Sequence, residues 1–422
     1  MRASIGAMSN PRNPIATDDQ AWIEREALRL LEHPTVRRAR EEVRAHWLAK
    51  AAPSPEMRAC FDACFEEVMF CAAVWSQNQD PLRPRVVTIT RLAHELGGLR
   101  VPGSRYGLDN PDSIYRVIPI DGRERYLIHG SVAERRLTEN YFTLWDAEMN
   151  TVDVFDGHDL ELGRDRHFTI SVDADPAGGR RNHIRSSPTA HEFYIRDVIL
   201  DWESDVPNTL AIERLGAPPT SPPRSDDENA GLAARFMRQY ADNTIRWNQQ
   251  ALQHPANAFA FTIDRDSDGA LRNQVYILGH FRLRDEEALV VDVHLGGAAY
   301  FIAPITNLWG TSNDIEHRTA SLNKAQSVAN PDGTYSFVVS VPDPGAHNWV
   351  DPCDMHEGIL TLRWAEFPGG RPSRDLAVRG RVVPLAKLQG ELPARTSFVT
   401  PAERQQQRAL RARSYAWRLQ DR

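Results

Sequence analysis

Apolar positions recur every three or four residues in the first part of the chain, and every second residue over much of the remainder. Those two periods belong to helices and strands, so the pattern divides the chain into helical and β segments. Phe61, Phe65, Val68, Ala72 and Trp75 form one stripe at helical spacing. Ser54 opens that helix as a cap, with Pro55 at the first position, where a missing amide costs nothing. Thr17-Asp18-Asp19-Gln20 reads as a capping box, in which threonine accepts an amide and glutamine reaches back. It precedes Leu28, Leu31 and Val36, and the stretch 86–96 is expected to form a third short helix.

Alternation takes over at Tyr106–Gly130, where polar turn residues run into Val117, Ile118 and Ile120. Asp121-Gly122 then separates this run from Tyr126, Leu127 and Ile128, a hairpin signal. Strands are expected over 126–132, 141–146, 151–155, 167–172, 191–197 and 209–214. Phe168, Ile170 and Val172 alternate with Thr169 and Ser171, as one buried face requires. A proline-rich linker at 218–223 leads to the capping box Ser225-Asp226-Asp227-Glu228 and a helix ending near Gln253. Its buried face should carry Leu232, Phe236, Tyr240, Ile245 and Trp247. Further strands are expected over 275–283, 288–293, 300–305, 335–341 and 359–367. Thr400-Pro401-Ala402-Glu403 caps a last helix rich in arginine and glutamine.

The expected fold is mainly β with helical additions: antiparallel, jelly-roll-like sandwich or barrel units. The organisation read from the sequence is a helical unit at 17–100, a first β unit at 101–217, a linker and helix at 218–256, a second β unit at 257–390 and a helical tail at 391–422.

Composition narrows the function. The net charge of −7 leaves no general basic face, so no nucleic-acid partner is expected. No apolar run reaches the roughly 20 residues of a membrane helix, so no membrane partner is expected. The N-terminus has no apolar signal core, which reads as cytoplasmic. Cys60, Cys64 and Cys71 share one helical face and read as core, since Cys353 is the remaining cysteine and is distant in sequence.

The chain has no Gly-x-Ser-x-Gly elbow, no phosphate loop and no dinucleotide-binding glycine run. Asp264-Arg-Asp266-Ser-Asp268-Gly269 opens like a calcium loop but has Val275 where the ion needs glutamate, so it reads as a turn. Asn330-Pro-Asp332-Gly333 reads as a turn for the same reason. His280 and His294, on neighbouring expected strands, are the histidines from which a metal site could assemble, but a metal also needs further ligands. Neither a metal nor a cofactor is expected.

Two concentrations of polar groups could carry chemistry. Tyr115 could donate a proton and Arg116 hold an anion; alternatively Arg116 pairs with Asp112 or another acid and anchors the fold, the reading preferred here. The other concentration is His347-Asn348-Trp349-Val350-Asp351-Pro352 with His356 and Arg363. With Trp309 it is expected to line a pocket at one end of the sandwich, or else to plug that end. His356 is the candidate acid or base, oriented by Asp351 or Asp354, with Tyr115 as a further catalytic candidate. Trp309, Trp349, Asn348, Arg116 and Arg363 are the substrate-binding candidates.

The order Gly107-Leu-Asp-Asn110-Pro111-Asp112-Ser-Ile-Tyr115-Arg116, Asp332-Gly333-Thr334, Asn348-Trp349 and Leu362-Arg363-Trp364 resembles a bacterial family known as domain of unknown function 1214. The resemblance spans about residues 100 to 390 and implies jelly-roll-type β domains. The family's common Asn-Trp-Leu-Pro-Ala-Pro stands here as Asn348-Trp349-Val350-Asp351-Pro352-Cys353, and a helical unit replaces the usual β partner domain. The expected function is a cofactor-independent enzyme on a small, largely apolar oxygenated metabolite such as a terpenoid, steroid or lipid-derived acid. Its chemistry would be that of an acid–base lyase, isomerase or hydrolase. The alternative is a non-catalytic carbohydrate- or ligand-binding or assembly protein. The partner is a small-molecule ligand, and a homo-oligomer stays open.

Overall fold

The computed structural model describes residues 13–262 and 273–420. The Asp264–Gly269 motif lies outside the described residues. Three helices come first: α1 (Asp18–Leu31), α2 (Pro34–Ala51) and α3 (Pro55–Gln77). Ser54 Oγ accepts the Met57 amide at 3.2 Å, the cap expected for α3. Thr17 likewise accepts the Gln20 amide at 3.1 Å. The Gln20 side chain, however, does not reach back. It accepts the Thr88 amide at 2.7 Å and donates to the Thr88 carbonyl at 3.0 Å. Thr88 lies on an edge strand, whose outward backbone groups need partners, and the amide of Gln20 supplies both.

The stretch 86–96 is not a helix. Val87–Thr88 pairs antiparallel with Ser113–Pro119, and His94–Leu96 forms a small hairpin with Leu99–Val101. The β-branched run Val86-Val87-Thr88-Ile89-Thr90 suits an extended backbone. A fourth helix, α4 (Asp226–Leu252), packs on α2 and α3. Its capping box forms as expected: Ser225 Oγ accepts the Glu228 amide, and Glu228 accepts the Ser225 amide at 2.7 Å.

The first β unit pairs a five-stranded sheet with a four-stranded one. The larger has the order Val87–Thr88, Ser113–Pro119, Ala190–Val198, Glu139–Asp146, Thr151–Asp156. The smaller has the order Thr209–Leu215, Arg125–Ser131, His167–Asp173, His183–Arg185. Ile118, Phe142, Phe193 and Ile195 meet Tyr126, Ile128, Phe168 and Ile170 between them. Asp121-Gly122 therefore turns no hairpin: the strands on either side of it belong to opposite sheets. Both strands have to present their apolar residues to one core, and an arch between sheets does that where a hairpin would place both on one side. Glycine is required there, because a Cβ on Gly122 would lie 1.6 Å from the Ser187 carbonyl oxygen.

The strand Ser113–Pro119 is buried along its whole length, unlike the half-exposed Thr209–Leu215. Ile118 faces the sandwich, while Tyr115 and Val117 face the helices and join Phe65, Trp75 and Tyr240 in one core. The helical layer is thus the second cover of this sheet.

The second β unit has sheets ordered Ala260–Thr262, Ala377–Pro384, Glu287–His294, Tyr335–Val339 and Gln274–Arg282, Glu357–Ala365, Tyr300–Thr306, Ser321–Asn323. Tyr300–Thr306 and Ser321–Asn323 pair within one sheet, and the other strands consecutive in sequence fall in opposite sheets, the crossover habit of jelly-roll sandwiches. Val275, Phe301, Leu362 and Trp364 face Leu289, Val291, Phe337 and Val378 across its core. His280 and His294 consequently sit in opposite sheets and not on neighbouring strands. His280 Nδ1 lies 3.1 Å from the Ala251 carbonyl, and His294 Nδ1 accepts the Gly296 amide at 3.2 Å. Two short C-terminal helices follow, α5 (Leu388–Glu391) and α6 (Pro401–Tyr415). Thr400 and Glu403 cap α6 reciprocally, as expected. Among the described residues no helix is long and apolar enough to cross a membrane.

Candidate functional site

Residues Gln407, Leu410, Arg411 and Ser414 recur at steps of three or one along α6 and share one helical face. That face closes a cavity of about 310 Å³. Its other walls are the turn after strand Ala190–Val198 (Leu200, Trp202), the segment around Ser321–Asn323 (Leu322, Gln326, Val328) and His347. The volume suits a small organic molecule, and a mostly apolar wall with a few polar groups is the usual make-up of such sites. The polar wall is rigidly built. Asn323 Oδ1 accepts the Gln326 amide at 3.0 Å and Gln326 Oε1 accepts the Asn323 amide at 3.2 Å, a capping box on a single turn. The same Gln326 Oε1 accepts from Arg411 Nη1 at 3.1 Å.

Below the cavity lies a buried polar node joining both β units to the C-terminal helix. Asp112 accepts from Trp202 Nε1 at 2.7 Å, from Asn323 Nδ2 at 3.0 Å and from the Tyr300 hydroxyl at 2.9 Å. The Trp202 ring is flanked by two guanidiniums, Arg411 at 4.2 Å and Arg418 at 5.0 Å from its centroid. Burial pushes the Asp112 carboxyl up to about 6, although its hydrogen bonds and the Arg418 charge oppose the rise. Burial likewise lowers Arg411 to about 10, partly offset by the Asp112 charge. Arg418 is also lowered by burial.

His347 is the cavity's imidazole. Asn348 Oδ1 accepts the Val328 amide at 2.9 Å, and Asn348 Nδ2 donates to the Val328 carbonyl at 2.8 Å. That pair fixes the amide orientation, so the Nδ1 of His347, 3.2 Å from Asn348 Oδ1, carries the proton. Nε2 is left with its lone pair. Burial, with the Arg404 charge, holds this imidazole below its ordinary pKa, so it is neutral near neutral pH.

The candidates read from the sequence are dispersed. Trp309 is buried in the helical core, 4.5 Å from the Phe61 centroid, and donates to the Met57 carbonyl at 2.8 Å. Trp349 is buried elsewhere, under Arg404 and Arg408, and donates to the Ser340 carbonyl at 3.0 Å. The two indoles face no common pocket. Each fills a core gap and has its one N–H satisfied by backbone. Asn348 clamps the backbone of Val328 and Ser336, and the segment around Trp349 bridges to Val338 at the sheet edge. This end of the sandwich is therefore plugged.

Asp351 is fully buried and takes the Arg318 fork at 2.7 and 2.8 Å, with Arg408 at 3.2 Å. It does not orient His356, and Asp354 pairs with Arg318 instead. His356 has 44% of its side chain exposed and bridges Glu56 at 2.9 Å and Asp285 at 3.0 Å, which raise its pKa. Arg116 pairs inside the first sandwich with Asp197, not Asp112, and donates to the Asn208 carbonyl at 2.7 Å. The register accounts for this: Arg116 lies opposite Ile195, one residue-pair from Asp197 on the same face. Tyr115 and Arg363 are brought together in the seam between the β units, where the Arg363 charge acts on the buried Tyr115 phenol. Arg363 also donates to the Leu108 carbonyl and lies over Tyr276.

Sequence reasoning passed over Trp202 and Arg411, and noted His347 without choosing it. Arg411 and Arg418, seven apart on the last helix and its continuation, were the available signal. Among the described residues Asp156, His158 and Glu366 place three ligand-type atoms within 4.8 Å of one another. Those groups are engaged with protein partners, His158 with Asp156 at 2.9 Å and Glu366 with Tyr141 at 2.7 Å.

No family model matches the chain, and no curated protein matches it. Solved structures do. An uncharacterized protein from Burkholderia cenocepacia is 26% identical with a TM-score of 0.70, covering 85% of this chain and 99% of that one. A protein from Vibrio parahaemolyticus is 10% identical with a TM-score of 0.40, covering 65% of this chain and 90% of that one. The chain thus shares a β-rich fold with helical additions with the Burkholderia protein over nearly that protein's whole length.

Proposed function

We propose that the chain binds a small, largely apolar, oxygenated metabolite in the cavity beneath α6. The observation that carries this reading is the cavity itself, about 310 Å³ in volume, with Leu200, Leu322 and Leu410 on its walls and Arg411, Gln326 and His347 converging on it. His347 offers a neutral imidazole with Nε2 unprotonated, so cofactor-independent acid–base chemistry of the lyase, isomerase or hydrolase type is what the lining can serve. A non-catalytic protein is the second reading, and the sealing of Trp309 and Trp349 into the core favours its assembly form. The resemblance to domain of unknown function 1214 supplies no reaction.

The test is mass spectrometry of small molecules released on denaturing the purified protein. A compound that accompanies the native chain and is absent from Ser414→Phe, which fills the cavity, supports the reading. Equal recovery from both would sink it. With the compound in hand, His347→Gln should keep binding and lower turnover by about 10² to 10⁴-fold if the site is catalytic. Turnover by neither form assigns the protein to binding alone.

A further inference from the structure

Two buried guanidiniums, Arg411 and Arg418, lie over the ring of Trp202. Among the described residues neither has a carboxylate within ion-pair distance. Arg411 donates to the Ile315 carbonyl, to Gln326 and to Ser321, all neutral acceptors. Arg418 donates to the Pro111 carbonyl at 2.7 Å, and its guanidinium lies over the Trp202 and Tyr415 rings. Asp112 is the buried acid of this node, and it spends its oxygens on Trp202, Asn323 and Tyr300. Asp112 and Asp314 both act on Arg411, but among the described residues neither accepts from it, so the guanidinium that lines the cavity has no charged hydrogen-bond partner, and buried charges ordinarily have partners.

The acids on the cavity wall do not supply one. Asp201 is bound by Arg135 at 3.4 Å and accepts the Glu203 amide at 3.0 Å, while Glu203 is exposed at the rim. His347, across the cavity, is neutral. Of Arg411's five N–H groups, three are engaged among the described residues, which leaves one on each terminal nitrogen. Arg411 itself lines the cavity, with Leu200, Leu322, Val328 and Leu410 around it.

We infer that the cavity takes a small monocarboxylate, its head group on Arg411 and its apolar body along Leu200, Leu322 and Leu410. This rests on the cavity being a ligand site at all. A monoanion suits the one guanidinium that lines the cavity, whereas a phosphate monoester would bring close to two negative charges. A carboxylate accepting from the two remaining N–H groups would make charge-assisted hydrogen bonds, which neutral head groups cannot match.

The experiment titrates octanoate and 1-octanol into the full chain near neutral pH by calorimetry, then repeats both with Ser414→Phe. Octanoate should bind at least about tenfold more tightly than the alcohol, the minimum expected of a hydrogen bond to a charged group. Ser414→Phe should remove both. Equal affinities for the two probes overturn the carboxylate inference while leaving the cavity as a ligand site. Octanoate binding that survives Ser414→Phe places the anion elsewhere and also overturns it. Binding of neither probe removes the proposed cavity function, and the inference with it. Arg411→Lys, which keeps the charge but loses the planar fork, should narrow the ratio between the two probes without unfolding the node. An unchanged ratio counts against Arg411 as the head-group partner.

Discussion

Asp112→Asn isolates the buried node in a single substitution. The folded chain holds the Asp112 proton to about 6, against an ordinary 3.8, because burial disfavours the charged form. A pKa raised on folding stabilises the protein below the unfolded value, and that contribution is lost as pH rises through the folded value. The window therefore runs from about pH 4 to about pH 6. A rise from 3.8 to about 6, at about 1.4 kcal/mol per pH unit, corresponds to about 3 kcal/mol. Asparagine keeps an oxygen for Trp202 and Asn323, and its amide can donate to the Tyr300 hydroxyl. The variant should match the wild type at about pH 4 and exceed it by up to about 3 kcal/mol at about pH 8. Urea unfolding at several pH values measures the difference. A difference that stays flat between these limits, or a wild type that is the more stable at the higher pH, would refute the linkage.

Three further outcomes follow from the packing. Arg116→Met leaves Asp197 buried and unpaired and should cost about 3 to 5 kcal/mol in denaturant unfolding, with Arg116→Lys between it and the wild type. Trp309→Ala removes the ring that joins the second β unit to Phe61 and Trp47, and should cost about 3 to 5 kcal/mol with no new pH dependence. His356→Gln should cost only about 0.2 to 1 kcal/mol, since its bridge to Glu56 and Asp285 is half exposed and screened. Because these acids raise the His356 pKa, its small contribution is present at low pH and fades as pH rises through that raised value. Ligand affinity at the α6 cavity should not change in this variant, and calorimetry checks it.

Local features of this molecule were legible in the amino-acid order alone. The caps at Ser54, Ser225 and Thr400 are set by residues within three positions of one another. The alternation in His167–Asp173 and the unbroken apolar character of Tyr300–Thr306 report whether one face or two are buried. Neither signal says which neighbour does the burying. Asp121-Gly122 has the chemistry of a hairpin, and only the two-sheet core makes it an arch. Arg116 had several acids within reach of reasoning, and sheet register chose Asp197, 81 positions away. Trp309 and Trp349 sit in polar loops, where a shared pocket was one expectation, yet Trp309 is buried among the helical residues and Trp349 under Arg404 and Arg408 of α6. The cavity draws its walls from four segments between Leu200 and Ser414. Hydrophobic period reports the backbone state of a few consecutive residues; the meeting of remote segments depends on how whole layers pack, and that packing alone placed Trp202, His347 and Arg411 around one space.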